Sequence, residues 1–140
     1  MVTRLRELVA LDALSYLAVS SAYKLPKDTP DQRAQRDAAI TTALIGASEV
    51  PLETARACAS VAGLAELVAT KGNPSAVSDA GVSALLAEAA CRGAAYNVRI
   101  NVAALADPAK GHALVEAAGE FVRETSAAAA RVGAEVERHI

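Results

Sequence analysis

Apolar residues recur every three to four positions along most of the chain, a spacing that predicts helices throughout. From about Thr3 to Lys24, Leu5, Leu8, Val9, Tyr16, Val19 and Tyr23 share one helical face, and Asp12 falls among them. A carboxylate in an apolar stripe needs a partner or a wet site, because burying it bare costs several kcal/mol. Asp12 is therefore either a structural group that pairs with a neighbouring helix or a residue of a functional site.

The stretch "KLPKDTPDQ" closes this helix and opens the next. Leu25 precedes a proline and is pushed off helical angles, while Thr29 reads as N-cap, Pro30 as first helical residue and Gln32 as capping-box partner. The second helix runs to about Val50. Pro51 lacks a backbone donor, which predicts a kink or a fresh start there and helix onward to Thr70.

In "KGNPSAVSDAG" Gly72 signals a left-handed C-cap, Asn73-Pro74 a turn, and Ser75, Ser78 and Asp79 are each competent to cap the helix that follows. One cap would suffice, so the loop carries a surplus of polar groups, with a carboxylate at the positive end of a helix. That helix is expected from about Asp79 to Leu105. Within it Gly93, Asn97 and Asn101 recur every four residues as a narrow polar strip. The two asparagines suit pairing with another helix, fixing register in a dimer, or holding a polar ligand. Asp79 has nearly the same angular position but lies about 27 Å along the axis from Asn97.

Asp107 and Pro108 open a last amphipathic helix to about Ile140, with Leu114, Val115, Phe121, Val122, Val132 and Val136 on its apolar side. Straight, it would be roughly 50 Å long, more than a compact monomer of this size buries, which predicts a dimer. The expected fold is all-α, an up-and-down bundle of about five helices forming one domain over residues 1–140.

Composition narrows this further. Of the 140 residues 53% are hydrophobic but only 3% aromatic, with no tryptophan, so small and aliphatic side chains must bring the helices close together. A net charge of −2 and a pI near 5.7 leave no basic face for nucleic acid. No uncharged apolar run approaches the ~18 residues of a membrane span, and "MVTRLREL" lacks the apolar core of an export signal, so the cytoplasm is expected. Cys58 and Cys91 have no metal-binding or redox spacing and are expected to be buried and reduced. His112 and His139 are far apart, so no metal site is expected. Glycine-rich phosphate loops, nucleophile elbows and dinucleotide fingerprints are likewise missing.

The segments "DALSYLAVSSAYKLPK" and "EVPLETARACASVAGLAELVATKGNPSAVSDAGVSALLAEAACRGAAYNVRIN" resemble the formimidoyltetrahydrofolate cyclodeaminase and methenyltetrahydrofolate cyclohydrolase family, most densely at residues 23–27, 51–58, 72–81 and 97–101. The resemblance implies an all-helical homodimer that uses no metal or cofactor and takes a tetrahydrofolate derivative as substrate. A cyclodeaminase closes a formimino group onto the neighbouring nitrogen and expels ammonia; a cyclohydrolase opens a methenyl bridge with water. Both reactions pass through a tetrahedral carbon between two nitrogens, and both need a group that moves a proton.

On this resemblance Asp79 is the first choice for the acid/base or orienting carboxylate and Asp12 the second. Asn73, Ser78, Asn97 and Asn101 would bind the pterin. Lys24 and Lys27 would meet the glutamate carboxylates of folate, unless they are simply solvated loop charges. In one respect the chain departs from the family, whose members usually carry a further helical stretch with a glycine-rich segment of the type "SPTPGGGS" ahead of the part that matches residue 1. That departure keeps a second expectation open, a noncatalytic helical dimer that retains the scaffold without a complete folate pocket.

Overall fold

The computed structural model describes residues 2–140. Four α-helices account for nearly all of it: α1 (Val2–Tyr23), α2 (Pro30–Lys71), α3 (Val77–Ala103) and α4 (His112–Glu137). Short 3-10 turns, Pro74–Ala76 and Pro108–Gly111, lead into α3 and α4. The bundle thus has four helices where about five were expected, and the difference is Pro51.

Pro51 lies inside α2 without ending it, so one helix of 42 residues runs about 63 Å. A proline fits helical φ; what it removes is the N–H that would bond the carbonyl four residues back, here Ala47. The structure replaces that donor from outside the helix. Asn101 on α3 donates from Nδ2 to the Ala47 carbonyl at 2.8 Å, and Pro51 itself is buried.

The start of α2 follows the expected capping box. Gln32 N–H donates to Thr29 Oγ1 at 3.2 Å, and Gln32 Oε1 accepts from the backbone of Thr29 at 3.2 Å and of Asp28 at 2.9 Å. Its end does not follow the expectation, because Gly72 has φ −84° and is not left-handed. Glycine is needed for a different reason: its N–H reaches the Val68 carbonyl at 2.8 Å, and a Cβ would stand 2.4 Å from that same oxygen.

None of Ser75, Ser78 and Asp79 caps α3, which begins two residues earlier than expected, after Ala76 and without a side-chain cap. Asn73 caps the preceding turn instead, its Oδ1 accepting from Ser75 N–H at 3.0 Å. The 3-10 turn feeds its own backbone bonds into α3, so the cap sits one element upstream. Asp107 works the same way, accepting from Ala109 N–H at 3.1 Å ahead of α4.

Helices α2, α3 and α4 form the core. Small residues let their backbones approach, with Ala55, Ala62, Ala84 and Cys91 wholly buried. Cys58 and Cys91 are both free and buried, in one cluster with Ala55 and Ala94. Burial pushes both thiols above the ordinary range, which makes them poor nucleophiles.

Packed chiefly on α2, α1 buries only Leu8 and Ala22. Its contact face only partly matches the one hydropathy suggests. Leu5, Leu8 and Val19 are buried or half-buried as expected, but Val9 and Tyr16 are 74% and 72% exposed, while Ser15, outside the expected stripe, is half-buried. With no third helix covering α1, its larger side chains have nothing to pack against on their own side. Among the described residues, no helix is long and apolar enough to cross a membrane.

Candidate functional site

A cleft of about 410 Å³ opens between α1 and α3, with α2 as its floor. Its walls are mostly apolar, built from Leu8 and Val9, Pro51 and Ala94, and its polar groups are Asp12, Thr54 and Asn97. A second cleft, about 260 Å³, adjoins it and includes Ser15, Tyr16, Ala47 and Asn101. Asp12 and Asn97 line both. An apolar concavity with a few convergent polar groups and several hundred Å³ of room is the form small-molecule sites usually take.

Local structure explains why these groups converge. Asp12 stands one turn beyond Leu8, which anchors α1 on the bundle, so the carboxylate comes to the rim of the α1–α2 contact. Ser15 Oγ donates to the Asp12 backbone carbonyl at 2.8 Å. The carboxylate itself makes no hydrogen bond or ion pair among the described residues. Asp12 and Asn97 are both exposed, and Asn101 is half-buried. Asn101 has one N–H committed to Ala47, which fixes which end of its amide faces the protein.

Other expected site residues lie apart from this cleft. Asp79 is exposed in the first turn of α3 and lines a separate cleft of about 250 Å³ with Leu64, Val68 and Ser83. Its backbone carbonyl accepts from Ser83 Oγ at 2.8 Å. Eighteen residues of straight helix separate it from Asn97, about 27 Å. Ser78 is exposed beside it, and Asn73 uses its side-chain oxygen as a cap. Lys24 and Lys27 are exposed in the turn between α1 and α2, where the Lys27 carbonyl accepts from Arg33 Nη1 at 3.1 Å.

The chain therefore brings together Asp12, Asn97 and Asn101, and does not bring Asp79, Ser78, Asn73 or the lysines to them. Thr54, Ser15 and Tyr16 line the clefts without having been expected as site residues, Tyr16 having been read only as part of an apolar face. Ser15 and Tyr16 follow Asp12 by three and four residues, a spacing that places them on the same side of a helix and was available as a signal.

Residues 1–120 match the formiminotransferase-cyclodeaminase family. Over 102 residues the chain is 47% identical to the methenyltetrahydrofolate cyclohydrolase of Methylorubrum extorquens, covering 73% of this chain and 49% of that protein. It is 39% identical over 106 residues to the formimidoyltransferase-cyclodeaminase of Sus scrofa, covering 76% of this chain and 20% of that protein. The crystal structure of formiminotetrahydrofolate cyclodeaminase from Thermotoga maritima superposes with a TM-score of 0.79 at 24% identity, over 94% of this chain and 61% of that one. The chain thus spans about half the length of the bacterial cyclohydrolase and a fifth of the mammalian enzyme.

Proposed function

The chain belongs to the formiminotransferase-cyclodeaminase family, and on that premise we propose that it acts on a reduced folate, hydrolysing the methenyl bridge of methenyltetrahydrofolate. Hydrolysis is preferred to ammonia release because identity to the bacterial cyclohydrolase, 47%, exceeds the 39% to the porcine formimidoyltransferase-cyclodeaminase. The observation that carries the proposal is the Asp12 carboxylate, unpaired among the described residues, set with Asn97 at the junction of two adjoining clefts.

In this scheme water adds to the electron-poor methenyl carbon and gives a proton to the Asp12 carboxylate. The tetrahedral carbon then breaks its bond to N5, which takes that proton, while the hydroxyl gives up its own proton to water as the carbon–oxygen double bond forms, leaving the formyl group on N10 and one proton in solution. Asp12 serves first as base and then as acid. Asn97 orients the pterin edge, and the apolar walls hold its rings. In the ammonia-releasing alternative, N10 attacks the formimino carbon, a proton moves to the departing nitrogen and ammonia leaves; the same carboxylate would serve.

The homodimer expected from the sequence belongs to this proposal too. It is supported by an apolar face on α3 where Val82, Leu86, Tyr96 and Ile100 are all more than half exposed. A cytoplasmic setting suits two buried, unlinked cysteines.

Decay of the methenyl-folate absorbance, with ammonia release from formimino-folate followed in parallel, tests the scheme. Asp12→Asn should lower turnover by about 100-fold or more while helicity is kept, and Asp79→Asn should stay close to the parent. A parent protein that accelerates neither reaction sinks the proposal. Loss on Asp79→Asn with none on Asp12→Asn would return the chemistry to the residue ranked first from the sequence. Absence of folate binding in equilibrium dialysis would leave the noncatalytic scaffold.

A further inference from the structure

We propose that Asn101 supplies, from α3, the hydrogen bond that Pro51 removes from α2, and that this bond positions the Asn97 turn over the cleft. Three observations meet at one place. Pro51 sits inside an uninterrupted helix and cannot donate to the Ala47 carbonyl, which its ring also displaces. Ala47 is buried at the floor of the smaller cleft, and a carbonyl left unmet there would be costly. Asn101 Nδ2 reaches that carbonyl at 2.8 Å across the α2–α3 interface.

The same substitution of donors has two consequences. It lets α2 continue through its proline as one helix. It also pins α3 to α2 one turn beyond Asn97, beside the pocket that Asp12, Asn97 and Asn101 share. Asn101 is thus a positioning residue. Its influence on a folate, which rests on the function proposed above, would run through Asn97 and show in KM before kcat.

A double-mutant cycle tests the lock without any substrate. Pro51→Ala restores a backbone N–H four residues after Ala47 and removes the need for Asn101. Asn101→Ala should raise the unfolding equilibrium constant by about tenfold in the parent and by less than about twofold in the Pro51→Ala background. Equal losses in the two backgrounds overturn the proposal. Should Asn101→Ala alone fail to fold, recovery of folded protein in the Pro51→Ala double variant supports the lock. If the double variant also fails to fold, the comparison is made on Asn101→Asp, which keeps the shape and lacks the donor; equal losses there overturn the proposal as well.

The activity arm separates a positioning role from direct contact. Because Pro51 itself walls the cleft, KM is compared within each background. Positioning predicts that Asn101→Ala raises KM in the parent and much less relative to the Pro51→Ala single variant, whereas a residue that itself binds folate raises it equally in both. A coupled stability cycle in a protein that turns over no folate would uphold the lock and sink the enzymatic proposal, so the two failures are distinguishable.

Discussion

At the scale of single residues, the clearest constraints are on glycines where another backbone or side chain comes too close. A Cβ on Gly111 would meet both methyl carbons of Val102, at 2.5 and 2.6 Å, at the point where the turn before α4 abuts the end of α3. Val102 is buried and cannot swing aside, so Gly111→Ala should destabilise by about 1–3 kcal/mol. Gly133 makes the opposite case: it lies within α4 and a Cβ there has nothing within 4 Å. Gly133→Ala should stabilise by about 0.5–1 kcal/mol, since alanine loses less backbone entropy in a helix. Urea denaturation of the two variants beside the parent checks both signs, and a Gly111→Ala variant as stable as the parent would show that the junction is looser than its packing implies. Gly72 belongs with Gly111, since its role is the close approach to Val68 and its φ is ordinary.

At the scale of elements, what the sequence could disclose depended on how far apart the deciding residues lie. The capping box at Thr29 and the cap at Asp107 were legible because donor and acceptor are two or three residues apart. The continuity of α2 was not legible, since the group that compensates Pro51 is fifty residues further on and reaches it only once α3 has packed. The contact face of α1 was only partly legible for a related reason, Leu5, Leu8 and Val19 lying on it and Val9 and Tyr16 off it: hydropathy marks which side chains prefer burial, but only the neighbouring helices decide which of them get it. For the site, Asp12 and the asparagine strip stood out locally, and the distance of Asp79 from Asn97 follows from their spacing on one helix, while the meeting of Asp12 with the asparagines across α1 and α3 is a tertiary fact. Ion pairs between helices are similarly long-range. Arg131 on α4 grips Glu66 on α2 through two bonds, at 2.5 and 2.8 Å, and holds its carboxyl below the ordinary glutamate value of 4.5. Because the folded value is depressed, this stabilisation is present above the unfolded value and is lost as pH falls through the folded one. Thermal unfolding followed from pH 6 down to pH 3 (~3 units) should therefore show a small acid-side loss that Glu66→Gln reduces; an unchanged acid slope in that variant would mean the pair adds nothing.

At the scale of the whole molecule, the bundle covers one side of α3 and leaves the other bare. Val82, Leu86, Tyr96 and Ile100 are 57%, 66%, 58% and 64% exposed and follow one another at helical spacing, with Ala89 and Gly93 between them, also exposed. A monomer seldom carries so long an apolar strip uncovered. Small residues at its middle would let the same helix of a second copy approach closely about a two-fold axis, the commonest way a surface meets itself. The parent should then scatter light as twice its 14.3 kDa chain mass, and Leu86→Glu combined with Ile100→Glu should bring it to one. Those two side chains face solvent in the isolated chain, so its helicity should be kept even as the pair separates. Asn97 stands between Tyr96 and Ile100 in the same turns of α3, and the cleft rim therefore borders this strip. A second copy seated there would shield one side of the cleft from water, so specific activity of the parent should fall on dilution together with its mass. Constant activity through dissociation would show that each chain holds a complete site, and a parent already monomeric at high concentration would remove the dimer from the proposal while leaving the Asp12 chemistry to stand or fall on its own variants.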